Sequence, residues 1–406
     1  MRRSNLPLRW LPSRIVWQSV LLPFLVWVGL CGGDASAAPS VTNVSFSQQS
    51  GTKLVAVTYD LAGGTSSVSL LVSNDNGATY NVPVKSVTGA VGDGVAAGVG
   101  KKIIWDAGTD WAGQSSNQIK MRVVAWDLKH EGAYAFVKIP GGAYQMGNLS
   151  GDSDITNAGT VSMTLSPFYL ATGHTSKAQW DVVRTWATGN GYVDLAAGAA
   201  KAPDHPVQTL SWYDVVKWAN AASEKEGLVP CYKVAGTVVR TGTNSAVTCD
   251  WTANGYRLPT EAEWEVAARG GLSAKRFPWG DTVTQSQANY KANPSLAYDL
   301  SGSVNDFHPT YKTGGIPYTS PVGSFPANGY GLHDMAGNLQ QWCWDWGGTP
   351  YGGGDNPRGL ATGASRILRG GDSYYDASFL RTACRSYSNP LTPGNLMGFR
   401  LARGRP

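Results

Sequence analysis

Side chains able to do chemistry are few in this chain. Of its five cysteines, Cys31 sits in an apolar N-terminal run, which leaves Cys231, Cys249, Cys343 and Cys384. Thiolates are soft ligands suited to copper(I), and paired thiols either bridge or do redox work. Cys343 lies in Trp342-Cys343-Trp344-Asp345-Trp346. Strand alternation there puts three rings on one face and Cys343 with Asp345 on the other. Cys384, in Arg381-Thr382-Ala383-Cys384-Arg385, is expected on a nearby strand. The pair reads as a structural disulfide, as a redox or copper site, or as two buried thiols. Cys231 and Cys249 flank a short polar segment with Gly236 and Gly242, which predicts a hairpin stapled by a disulfide. Closing a loop of that size contributes about 3 kcal/mol in the chain-entropy model. The histidines, His130, His174, His205, His308 and His333, never recur at i, i+2 or i+4, so spacing indicates no zinc or iron site. No glycine-rich loop opens a helix as a phosphate cradle, and no Ser/His/Asp set has a local signature.

Three helices are legible among the elements that must position these groups. Thr260 with Glu263, Ser176 with Gln179, and Ser211 with Asp214 each place a capping side chain three residues before one that reaches back. Trp264, Ala267 and Ala268 follow the first as an apolar stripe, and Gly270-Gly271 stops it. Trp180, Val183 and Trp186, and then Trp212, Val215, Val216 and Ala219, mark the other two as packing helices. From Pro39 to Leu128 the pattern is strand. Val55, Val57 and Tyr59, then Val68, Leu70 and Val72, then Ile119, Met121 and Val123 alternate with small or polar residues. Gly63-Gly64, Asn74-Asp75-Asn76-Gly77 and the glycines from Gly89 to Gly94 supply turns at sandwich spacing. Residues 39–128 are therefore expected to form an all-β immunoglobulin- or fibronectin III-like sandwich acting as a spacer. A carbohydrate-binding module using Trp105, Trp111 and Trp126 is the sharper alternative.

Gly255 to Gly271 reads Gly-Tyr-Arg-Leu-Pro-Thr-Glu-Ala-Glu-Trp-Glu-Val-Ala-Ala-Arg-Gly-Gly. It is followed in order by Phe277-Pro278-Trp279-Gly280, Asn328-Gly329-Tyr330-Gly331-Leu332, Asp334-Met335-Ala336-Gly337-Asn338, Arg369-Gly370-Gly371 and Gly398-Phe399-Arg400. From about Tyr134 to Arg403 the chain closely resembles the sulfatase-modifying-factor family, whose founding activity is the formylglycine-generating enzyme. The resemblance implies an α+β, loop-rich, C-type-lectin-like domain over 133–404. It also implies an oxidase that holds copper(I) on two cysteines, four and nine residues past the closing Gly-Gly. Here those positions are Tyr375 and Leu380, and the family's copper chemistry has no ligand pair. The ligand groove implied by the resemblance would be lined by Trp342, Ser373, Tyr375 and Arg385. Of the family's calcium loops, Asn289 with the carbonyl of Tyr290 matches one and Asn338 the other. Their carboxylates are replaced by Gly314 and Gln341, which makes calcium a weak expectation because a hard cation wants charged oxygens.

Arg2, Arg3, Arg9 and Arg14, the apolar run Val20 to Leu30 and Ala35-Ser36-Ala37 read as a cleaved signal peptide over 1–37, so the mature chain is expected to be secreted or periplasmic with no membrane span. Cleavage takes the formal charge from +5 to about +2, which leaves no electrostatic footprint for nucleic acid. The expected function is binding of an extended peptide, protein or glycan. The alternative is an oxidoreductase acting in an exported maturation step through a non-standard site, with Cys343 and Cys384 as its weak candidates.

Overall fold

The computed structural model describes residues 39–404 apart from 78–79, 81, 128–133, 303 and 349–351. The signal segment, the linker around 128–132 and the side chain of Trp126 lie outside the described residues.

Two antiparallel sheets occupy residues 40–127. One orders the strands Ser40–Gln48, Leu54–Ala62, Gly98–Asp106 and Val87–Gly89; the other orders Gly92–Val95, Ser66–Ser73 and Lys120–Asp127. Alternation in Leu54–Ala62 turns Val55, Val57, Tyr59 and Leu61 inward. They share a core with Val68, Val72, Ile103 and Trp105 from both sheets. Trp105 is buried and its indole donates to Asp110 at 2.9 Å, while Trp111 packs half-buried against the same core. Trp105 is thereby closed to a sugar.

The C-terminal part is mostly short strands and loops around three helices, Lys177–Thr188, Trp212–Lys225 and Glu261–Arg269. All three expected capping boxes are formed, and Gly270 ends the last helix at φ 57°. Indole stacking joins the first two helices, with Trp180 and Trp218 at a 5.4 Å centroid separation. A four-stranded sheet orders Arg385–Ser388, Arg366–Arg369, Gln340–Trp346 and Met397–Gly398.

The helix Glu261–Arg269 differs from its reading as a helix with one apolar stripe. Every one of its residues is buried. Each of its glutamates meets an arginine brought from elsewhere. Glu263 takes both terminal nitrogens of Arg257 at 2.6 and 2.7 Å, Glu265 pairs with Arg269 and Arg369, and Glu261 takes Arg385 bidentately at 2.7 Å. Buried charges are tolerated only when paired and hydrogen-bonded in this way. Periodicity alone cannot reveal Arg369 and Arg385, which lie 104 and 124 residues from their glutamates.

Candidate functional site

The strand Arg366–Arg369 runs into Gly370 and Gly371, both at positive φ (94° and 66°). A Cβ on Gly371 would stand 2.8 Å from Leu380 and 2.9 Å from the Phe379 carbonyl, so only glycine lets the chain fold back here. Asp372 is buried at the turn. Its carboxylate accepts the backbone N–H groups of Tyr374 at 2.8 Å and Tyr375 at 3.1 Å, together with Gln340 Nε2 at 2.6 Å. Burial pushes its pKa up to about 6 against those bonds. By holding both amides inward, Asp372 projects the two tyrosine rings outward. Tyr374 and Tyr375 are 40% and 39% exposed, and Phe379, on the short turn Ala377–Leu380, is 37% exposed.

These rings continue into a ladder. Phe379 lies 4.5 Å from Tyr375, Tyr375 is edge-on to Tyr374 at 5.8 Å, Tyr374 meets Phe307 at 5.7 Å, and Phe307 meets Tyr318 at 4.7 Å. Lys291 Nζ sits 5.4 Å above the Phe307 ring, and the Lys291 amide donates to the Tyr375 carbonyl at 3.1 Å. Asp376 caps the following turn and accepts from Asn293 Nδ2 at 2.8 Å. Five rings from two separate loops thus stand on a hydrogen-bonded base. Such rings supply contact area at low conformational cost, as recognition surfaces commonly do.

Of the expected groove residues, only Tyr375 belongs to this surface. Trp342 and Ser373 are fully buried and stand outside the exposed ladder. The strand that carries Trp342 is covered on both faces, and the Ser373 amide is tied to the Asn338 carbonyl at 3.0 Å. Arg385 is committed to Glu261 and to the carbonyls of Asn157 and Gly348.

The thiols also differ from expectation. Cys231 and Cys249 are free in the structure, and the expected bridge is not formed. Cys249 stands beside Tyr232 across the hairpin, and burial, with Cys231 as its neighbour, raises the Cys249 thiol well above its ordinary pKa. Cys343 and Cys384 are free as well. Cys384 lies just before the strand Arg385–Ser388 and not on a strand as expected, and the strand Arg366–Arg369 separates Arg385–Ser388 from the strand of Cys343 by two spacings of about 4.8 Å, which sets the two thiols beyond disulfide reach. Burial raises both thiols, and a thiolate is the form that binds copper or attacks. Tyr375 and the buried Leu380, at the two positions that the resemblance implies for copper ligands, carry no thiol and do not fit copper(I).

Calcium fits poorly too. Asn338 is engaged with Ser320, its Oδ1 accepting that residue's N–H and its Nδ2 donating to that carbonyl. Gln341 Oε1 accepts from Trp264 Nε1 at 2.8 Å and Arg400 Nε at 2.6 Å, so a buried guanidinium holds that corner. At the other loop, Gln285 Nε2 donates to the Tyr290 carbonyl at 2.9 Å and the Asp306 carbonyl at 3.0 Å. A neutral amide there draws together oxygens that a cation would otherwise gather. Asn289 donates from Nδ2 to the Tyr318 carbonyl, and its buried Oδ1 has no hydrogen-bond partner among the described residues. No cluster of three His, Cys, Asp or Glu suited to a metal occurs among the described residues.

Sequence reading missed Phe307, Tyr318, Tyr374 and Phe379. The available signal was the run Tyr374-Tyr375 followed four residues on by Phe379 in a segment rich in turn formers. Its junction with the 307–318 loop is a tertiary contact that no local pattern reveals.

A family model for the sulfatase-modifying factor enzyme 1-like domain matches residues 126–405. The formylglycine-generating enzyme of Thermomonospora curvata is 33% identical over 298 residues, which span 66% of this chain and 93% of that protein. The chaperone protein LppX of Paenibacillus barcinonensis is 32% identical over 280 residues, 66% of this chain and 89% of that one. Among solved structures, Treponema denticola variable protein 1 matches with a TM-score of 0.52 at 27% identity, covering 67% of this chain and 95% of that chain.

Proposed function

The chain belongs to the sulfatase-modifying factor enzyme 1-like family, and within it we propose a member that binds an extended peptide ligand across its aromatic ladder instead of oxidising a thiol through copper. The observation that carries this reading is Tyr375, which stands where the resemblance implies a copper ligand and belongs to a five-ring surface, while the other implied position is taken by the buried Leu380. Relatives with names as different as formylglycine-generating enzyme and chaperone protein agree with a scaffold whose chemistry resides in grafted residues. The oxidoreductase alternative asks for two thiols within reach of one another, and the separation of Cys343 from Cys384 weighs against it.

Export through a signal peptide over 1–37 and a role for residues 39–128 as an immunoglobulin- or fibronectin III-like spacer complete the proposal. The mature protein would then present its ladder outside the cytoplasm.

Panning displayed random peptides on the wild-type protein and on a Tyr374→Ala/Tyr375→Ala variant tests the binding surface. Enrichment of a peptide family on the wild type, lost on the variant, supports the reading. Equal enrichment on both moves the site elsewhere, and enrichment of a glycan instead on a parallel array replaces the ligand class.

A further inference from the structure

A polar cavity lies away from the ladder, where Trp251, Arg257, Arg358, Ser166, Asn356 and Gly404 come together. Its volume is about 80 Å³, several times the probe volume of about 10–15 Å³ that one water needs. That is room for a small oxyanion and not for a nucleotide or a sugar chain.

Trp251 organises two cations. The guanidinium carbon of Arg358 lies 4.5 Å from its ring centroid and that of Arg257 lies 5.0 Å away. Stacking on an aromatic face fixes a guanidinium while leaving its in-plane donors free. Arg257 is 97% buried, from a relative exposure of 3%, and its two terminal nitrogens serve Glu263. Its Nε is buried with no hydrogen-bond partner. A charged donor left in that state is costly, which singles it out as waiting for an acceptor. The Nε stands 3.7 Å from where a Cβ on Gly404 would be, and Gly404 lines the same cavity.

Arg358 makes no ion pair or hydrogen bond among the described residues, so Glu263 answers one of the two positive charges and one remains. The Ser166 hydroxyl accepts from Asn356 Nδ2 at 3.2 Å, which frees its proton to donate. Ser166 and Asn356 are locked together by a second bond, from the Ser166 amide to Asn356 Oδ1 at 2.7 Å.

We propose that this cavity binds a small oxyanion of the carboxylate or sulfate class, held between the Arg257 Nε–H, the Arg358 guanidinium and the Ser166 hydroxyl. The site is independent of the ladder and of the peptide reading.

The test follows the Arg257 Nε–H resonance of the full chain by ¹H–¹⁵N NMR. Sodium sulfate and sodium acetate are added separately, with ionic strength held constant by sodium chloride. The expected result is a saturable shift with at least one of the two, and the preferred anion distinguishes tetrahedral from planar recognition. Arg358→Gln, at an exposed position, should weaken that binding about tenfold or more. Gly404→Ala should weaken it by filling the cavity wall, since a methyl there makes only ordinary contacts of 3.5 Å and longer. A shift that tracks chloride equally, or that survives unchanged in Arg358→Gln, overturns the proposal.

Discussion

Two regions begin on the same short strand and have opposite characters. Arg369, at the end of Arg366–Arg369, turns its guanidinium under the helix Glu261–Arg269 and meets Glu265 in complete burial. Three residues later Asp372 turns the chain outward and exposes Tyr374 and Tyr375. The first region buries charge and hides every side chain, whereas the second displays rings and hides Asp372, the acid that turns it. Charge therefore maintains the scaffold in the first region, and the second offers a partner an aromatic surface.

Breaking the buried region should give the largest effect. Glu265→Ala takes the shared carboxylate from the buried Arg269 and Arg369 and leaves Arg369 with the Glu261 carboxylate at 3.6 Å, and truncating one partner of a buried pair costs about 3–5 kcal/mol. Arg385→Ala should belong to the same class because Glu261 loses its bidentate partner. Urea unfolding measures both, and a change below about 1 kcal/mol would place the ion pairs outside the scaffold.

The next effect depends on pH. Asp345 accepts the Glu261 amide at 2.7 Å, and burial, followed by the nearby Glu261 charge, pushes its pKa up to about 8. A group whose folded pKa is raised holds its proton longer in the folded state. Its contribution to stability is complete below the unfolded carboxylate pKa near 4 and is lost as pH rises towards 8. Asp345→Asn removes that loss, so the stability of the variant relative to wild type should climb between pH 4 and 8, by at most about 1.4 kcal/mol per pH unit. Parallel stability curves would contradict this.

Smaller again is the neutral bridge in the loop that supports the ladder. Gln285→Ala strands the Tyr290 and Asp306 carbonyls and should cost about 1–3 kcal/mol. A chelator should leave the wild-type melting temperature where it is. A chelator-sensitive melt restored by calcium would show that the loop needs a cation after all.

Tyr375→Ala should have the smallest effect on stability, within about 0.5 kcal/mol as for surface changes, while it removes binding of any peptide selected on the wild type. That split between stability and binding sharpens the contrast most, because Glu265→Ala should show the reverse order.

Much of the scaffold is legible in the sequence. Thr260 with Glu263, Ser176 with Gln179 and Ser211 with Asp214 announce helices because capping is local chemistry, and alternation around Val55, Val57 and Tyr59 announces strands. The site is far less so. Trp342 and Ser373 resemble groove residues in one dimension, yet the sheet covers them, and Arg385 looks like a surface cation until Glu261 takes it. The ladder needs Phe307 and Tyr374 to meet across some seventy residues of chain, which follows from the turn at Gly370-Gly371 and from no local periodicity.

The central claim is that the segment from Asp372 to Leu380 has exchanged metal chemistry for a contact surface. The most direct measurement is copper(I) competition against a chromophoric chelator, run with oxygen uptake in the presence of a cysteine-containing peptide. The account predicts no stoichiometric copper and no uptake above the protein-free rate. One tightly held copper per chain with oxygen consumed as the peptide thiol is oxidised would contradict it.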